Sequence, residues 1–113
     1  MNYVPDSGDL VKLDLNPPTG HEESGWRPAI VLSPQSYNRR SGLAVVAPIT
    51  SQSKGYPFEV LLPPGLKLTG VVLSDHVKSV NWTARRMRYK DRAPTKLLRD
   101  VQEQLRLLLF TGD

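Results

Sequence analysis

The 113-residue chain has no cysteine, which excludes disulfides and thiolate zinc sites. Histidine is nearly as scarce. His21 and His76 lie in distant segments, which argues against a histidine-based metal cluster, and no residue pattern calls for a cofactor. No apolar run approaches the roughly 20 residues that span a bilayer, and "MNYVPDSGD" lacks the basic-then-apolar layout of a secretion signal. A soluble, cytoplasmic protein that does not engage membranes is the expectation. Its length and 39% hydrophobic content suit one domain, residues 1–113, around one core.

What is present is a basic surplus, unevenly placed. Residues 1–60 hold five Lys/Arg against six Asp/Glu, whereas residues 61–113 hold ten against five. Much of the surplus comes from "RRMRYKDR", residues 85–92, with five basic side chains and one aspartate. Such a run either tracks a phosphate backbone, with Tyr89 available to stack on a base, or is a solvated connector before a helix.

Strand signals dominate the first 80 residues. "DLVKLDL" alternates, placing Val11, Leu13 and Leu15 on one face and Lys12 and Asp14 on the other. "PAIVLS" and "LAVVAPI" are continuous β-branched runs that fit strands covered on both faces, and "FEVLL", "GVVL" and "VKSVNW" are three shorter candidates. Ten prolines and eight glycines gather between these runs, in "NPPTG", "SPQSYNRRSG" and "LPPGLKLTG", which read as loops. The last segment changes period. Leu97, Leu98, Val101, Leu105, Leu108 and Leu109 recur at three- and four-residue spacings, an amphipathic helix opened by Pro94, ended by Gly112 and packed on the sheet. The fold expected is mainly β, a small barrel or strongly curved sheet, with a C-terminal α-helix.

Four features are left over for chemistry. Arg27 stands just before Pro28 and an apolar strand, so its backbone is held. Its planar guanidinium suits bidentate capture of a phosphate, or pairs with Glu22 or Glu23 across the preceding loop. "PITSQSKGYPFEV" passes through Thr50, Ser51, Gln52, Ser53 and Lys54, donors that suit an anionic backbone or an ordinary hairpin connection. His21 and Glu22 could transfer protons in phosphodiester cleavage, with Arg27 and the Thr50 hydroxyl on the developing charge. "SDHVKS", carrying Asp75 and His76, reads first as a turn between strands.

Together, "YVPDSGDLVKLDLNPPTGHE", "GWRPAIVLSPQSYN", "PITSQSKGYPFEV", "GVVLSDHVKSVNW" and the terminal helix resemble, in order and over nearly the whole chain, the MazF/PemK family of toxins from bacterial type II toxin–antitoxin systems. The resemblance implies an SH3-like small β-barrel with a C-terminal helix, a homodimer, and metal-independent cleavage of single-stranded mRNA at short motifs. Cleavage in the family uses the 2′-hydroxyl and leaves a 2′,3′-cyclic phosphate. The resemblance also implies a cognate, MazE-like antitoxin whose C-terminal segment blocks the RNA groove. It assigns Arg27, Thr50 and Glu22 to catalysis, with His21 an alternative base. His21, Trp26, Ser51, Gln52, Ser53, Lys54, Asp75 and His76 are substrate-binding candidates. Trp26 replaces a histidine or basic residue common in relatives, and its indole either stacks on a base or caps the barrel mouth. A gyrase poison like CcdB would have no need of Arg27, Thr50 and the "SQSKGYPF" loop, and in a non-catalytic RNA-binding barrel the acidic and hydroxyl residues would lack a purpose beyond loop structure.

Overall fold

The computed structural model describes residues 2–14 and 25–112. Seven strands and two helices are described: β1 (Asp9–Asp14), β2 (Trp26–Val31), α1 (Gln35–Ser41), β3 (Leu43–Thr50), β4 (Glu59–Leu61), β5 (Val71–Leu73), β6 (Lys78–Asn81), β7 (Arg88–Arg92) and α2 (Thr95–Phe110). The strands form one antiparallel sheet in the order β4-β5-β3-β2-β1-β7, with β6 also on β3. Strand β3 is the hub. Val46–Pro48 face β2, while Leu43–Val46 and Ile49–Thr50 face β6 and β5 in turn.

The expected mainly β architecture with a terminal helix is there, as an open sheet: its end strands β4 and β7 do not pair with each other. The loop after β4 crosses toward β7, where the Lys67 N–H donates to Asp91 Oδ2 at 2.9 Å. That amide, followed by the Arg92 N–H, holds the Asp91 carboxyl below its ordinary range.

Both faces of the sheet are covered, as the continuous β-branched runs predict. Leu10, Ile30, Ala47, Ile49 and Val72 pack with Leu62, Leu68 and the α2 residues Leu97 and Val101. Val11, Leu13, Ala29, Val31, Ala44, Val46 and Val80 form a second core with Met87. The alternation of β1 sends Leu10 to one core and Val11 and Leu13 to the other. Each fully buried aliphatic side chain contributes about 1.5–3 kcal/mol.

Three expectations need correction. "SPQSYNRRSG" is not all loop: it contains α1, preceded by Pro34 and closed by Gly42 at φ 74°. The helix exists to present one buried residue, Asn38. Its amide donates to the carbonyls of Pro5 (2.8 Å) and Ser33 (3.0 Å), and its oxygen accepts from the Ser33 hydroxyl. "RRMRYKDR" is not a free connector either, since Arg88–Arg92 is an edge strand on β1. Charged side chains along such an edge discourage pairing with another chain. Finally, of the six apolar anchors in α2 only Leu97 and Val101 are buried, Leu98 and Leu105 are half-buried, and Leu108 and Leu109 are exposed. The helix outruns the core it covers.

Candidate RNA-cleavage site

The ladder between β2 and β3 runs through Val31↔Val46, Ile30↔Ala47 and Ala29↔Pro48 and stops there. Pro28, next in β2, has no N–H to donate across to Ile49. Continuing the register by two residues sets Arg27 against Thr50, on strand ends that are free to part. A cleft of about 700 Å³ opens at this point. Trp26, Arg27 and Pro28 line it from β2, Ile49 and Thr50 from β3, and Ser51, Gln52, Lys54, Asp75 and His76 from the following loops.

Thr50 is fixed from two sides. Its backbone pairs with Val71 of β5, and its Oγ1 accepts the Gln52 N–H at 3.1 Å, which leaves the hydroxyl proton to be donated into the cleft. Gly70, at φ 120°, lies against it so closely that a Cβ there would collide with the Thr50 carbonyl. Only glycine combines that backbone conformation with that approach.

The loop after Thr50 is wrapped around an acid. Glu59 accepts the Ser53 hydroxyl at 2.8 Å, the Lys54 N–H at 3.0 Å and the Gly55 N–H at 3.1 Å. The Lys54 amide is the largest cause, and the Ser53 hydroxyl the next, of a Glu59 carboxyl held below its ordinary range. These donors are therefore occupied. Ser53 does not line the cleft, and its hydroxyl shapes the loop that carries Lys54.

Arg27 is exposed, and its one described hydrogen bond is long, 3.5 Å to the Trp26 carbonyl. Among the described residues no carboxylate pairs with it. His76 Nε2 and Asp75 Oδ1, 3.7 Å apart, line the same cleft. Trp26 is half-buried, with the guanidinium carbons of Arg86 and Arg88 5.2 and 4.8 Å from its ring centroid.

Over residues 6–109 the chain matches the PemK-like, MazF-like toxin family of type II toxin–antitoxin systems. It is 45% identical over 107 residues to the endoribonuclease toxin MazF of Escherichia coli K12, covering 95% of this chain and 96% of that one. The chain belongs to the PemK/MazF toxin family. The endoribonuclease PemK of Escherichia coli is 32% identical over 106 residues, covering 90% and 80% of the two chains. The crystal structure of MazF from Deinococcus radiodurans superposes with a TM-score of 0.87 at 50% identity, covering 96% of this chain and 98% of that one. A MazE–MazF complex from the same organism gives 0.87 at 45%, covering 98% and 100%. A CcdB-like gyrase poison is not favoured, since the curated relatives are named as endoribonucleases.

For this PemK/MazF member, the fold brings together Arg27, Thr50, Trp26, Ser51, Gln52, Lys54, Asp75 and His76, and leaves Ser53 out of the cleft lining. His21 and Glu22 lie outside the described residues, as does Glu23. Sequence reasoning missed Glu59, Tyr56 and Gly70. The signal for Glu59 was a lone acid closing a Ser-Lys-Gly loop, and for Tyr56 an aromatic inside that loop, exposed and lining the cleft.

Proposed function

We propose that this chain is the toxin of a type II toxin–antitoxin pair, a single-domain, metal-independent endoribonuclease acting on single-stranded RNA in the bacterial cytoplasm. The observation that carries the reading is the meeting of Arg27 and Thr50 at the parting of β2 and β3, in a chain of the PemK/MazF family. The substrate's 2′-hydroxyl attacks the adjacent phosphorus, the P–O5′ bond breaks, the leaving 5′-oxygen takes a proton from solvent, and a 2′,3′-cyclic phosphate and a 5′-hydroxyl result. The guanidinium of Arg27 takes up charge on the non-bridging oxygens, and the Thr50 hydroxyl donates to the same group. Glu22, with His21 as the alternative, is assigned the 2′-hydroxyl proton. Lys54, Ser51, Gln52 and the Asp75–His76 pair hold the flanking nucleotides.

Two partners accompany this reading. A MazE-like antitoxin would lay an acidic and apolar C-terminal segment over the cleft, its carboxylates taking the place of phosphates. A second copy would form a homodimer. Leu109 and Phe110, 65% and 77% exposed at the end of α2, are apolar surface of the kind oligomers cover.

The test is incubation of the purified protein with long single-stranded RNA in EDTA, with ends mapped by primer extension. Cuts at a recurring short motif, lost in Arg27→Ala and Thr50→Ala, are expected. Failure to cut any sequence-diverse RNA refutes the reading.

A further inference from the structure

The basic segment splits into two parts with different tasks. Arg92 is committed to the fold, because its guanidinium meets the buried Asp9 carboxylate at 2.9 Å, which also accepts the Tyr3 hydroxyl at 2.6 Å. Arg86 and Arg88 are turned the other way, onto the indole of Trp26. Trp26 also lines the cleft, so the two guanidinium groups continue the cleft wall outward.

The register explains why they gather there. In β1, Lys12 pairs with Pro28 on one side and Arg88 on the other, and Asp14 pairs with Trp26. Directly paired residues share a face. Lys12, Trp26, Pro28 and Arg88 therefore form one surface across three strands. Arg86 reaches it from a turn with φ 53°, a conformation uncommon for a side chain of its size.

Among the described residues, the charges on this surface do not balance. Asp14, 3.4 Å from Arg86, is the acid among the described residues that joins them, and Lys12 and Arg88 have no carboxylate partner among those residues. Arginines stacked on an aromatic ring keep the guanidinium edge open to hydrogen bonding. An anion that spans two such edges relieves their mutual repulsion. Tyr89 is not part of this surface, for it pairs with Val11 and meets Tyr3 edge-on at 6.0 Å.

We infer that Arg86 and Arg88, stacked on Trp26, form a phosphate-binding subsite for the RNA backbone beyond the cleaved nucleotides. The subsite rests on the RNA-cleaving reading and deepens it: it lengthens the RNA footprint without touching the reacting atoms. Two guanidinium contacts add about 1.4 to the salt slope of single-strand binding, roughly 0.7 for each phosphate.

The experiment uses the full chain and its Arg86→Gln/Arg88→Gln double variant. Two probes carry the motif found by primer extension, one cut to that motif and one extended by several nucleotides on each side, both made uncleavable by 2′-O-methylation for binding and left as RNA for cleavage. The extended probe should bind the double variant with a slope smaller by about 1.4, so that raising salt from about 50 to 200 mM weakens the parent about sevenfold more than the variant. Cleavage of the motif-only probe should be unchanged, which also reports that the variant is folded. Equal slopes and affinities on the extended probe overturn the subsite. So does an unchanged RNA slope with weakened binding of polyglutamate, which would mark the stack as a reader of protein carboxylates. If the protein cuts no RNA and so yields no motif, a long single-stranded RNA of mixed sequence takes the place of the extended probe; a steeper slope for the parent than for the double variant then leaves the subsite standing while the cleavage reading fails.

Discussion

Replacing Arg27 with alanine separates catalysis from folding more cleanly than any other change in the cleft. The side chain is exposed and, among the described residues, has no carboxylate partner and makes a single 3.5 Å hydrogen bond to its neighbour's carbonyl. Its backbone is held independently, by the pairing of β2 with Leu13 of β1. Loss of the side chain should therefore change stability by no more than about 0.5 kcal/mol. The cost in rate should be of a different order. One charge-stabilising donor removed from a preorganised site lowers turnover about 10²- to 10³-fold, or roughly 2.7–4 kcal/mol of transition-state stabilisation. Arg27→Lys keeps the charge and loses the planar fork, and should fall between the two. Initial rates of cleavage, paired with thermal unfolding of each variant, decide the matter. A loss of only a few-fold at unchanged Tm refutes the catalytic assignment, and a fall in Tm of the same rank as the fall in rate makes Arg27 structural.

Three further outcomes are expected. Gly70→Ala should destabilise the fold by roughly 2 kcal/mol or more, because the new Cβ meets the Thr50 carbonyl at a positive φ, and should lower cleavage by displacing Thr50. Thermal unfolding and cleavage measured together check it, and a variant with unchanged Tm refutes it. Glu59 has a depressed folded pKa, so its hold on the loop is complete above the ordinary glutamate value of 4.5 and is lost as pH falls through the lowered one. The Lys54 and Gly55 amide signals in NMR should stay fixed through neutral pH and move only under acid, whereas Glu59→Gln should shift them at neutral pH. Burial first, and then the hydrogen bond to Asp9, raise the Tyr3 phenol above its ordinary value of 10.0. Its contribution is complete below that value and is lost as pH rises beyond it, so Tyr3→Phe should flatten the alkaline limb of a stability-versus-pH curve.

The strands of both cores were legible because burial writes itself as periodicity. Val11 and Leu13 face one core, Leu10 the other, and the unbroken runs in β2 and β3 are covered on both sides. Helix α1 was not legible, because a seven-residue helix with Asn38 as its one buried residue has no apolar period to read. Strand β7 was hidden by its charge: edge strands carry basic side chains for solubility, and those look the same as a solvated run. The outer half of α2 read as core because the stripe continues past the sheet that covers it. At the site, Arg27, Thr50 and Lys54 could be named from residue type and family pattern. Glu59 could not, since its role comes from three donors folding back onto it.

Trp26 shows why a residue's chemistry depends on what the fold puts beside it. From sequence it was an indole at the mouth of a strand, able to stack on a base or to cap the barrel. Its neighbours in space come from residues 86 and 88, some 60 positions away, brought in because β1 pairs with β2 on one edge and β7 on the other. An indole already covered by guanidinium groups has less face to offer a base, and the cations it gathers have more to offer a phosphate. Pro28 completes the arrangement. It withholds a donor from Ile49 where β2 and β3 leave the core, so the strand ends part and present Arg27 and Thr50 instead of zipping shut. Binding and chemistry thus occupy the margin where sheet pairing fails, while the stability of the fold is held by the two cores behind it.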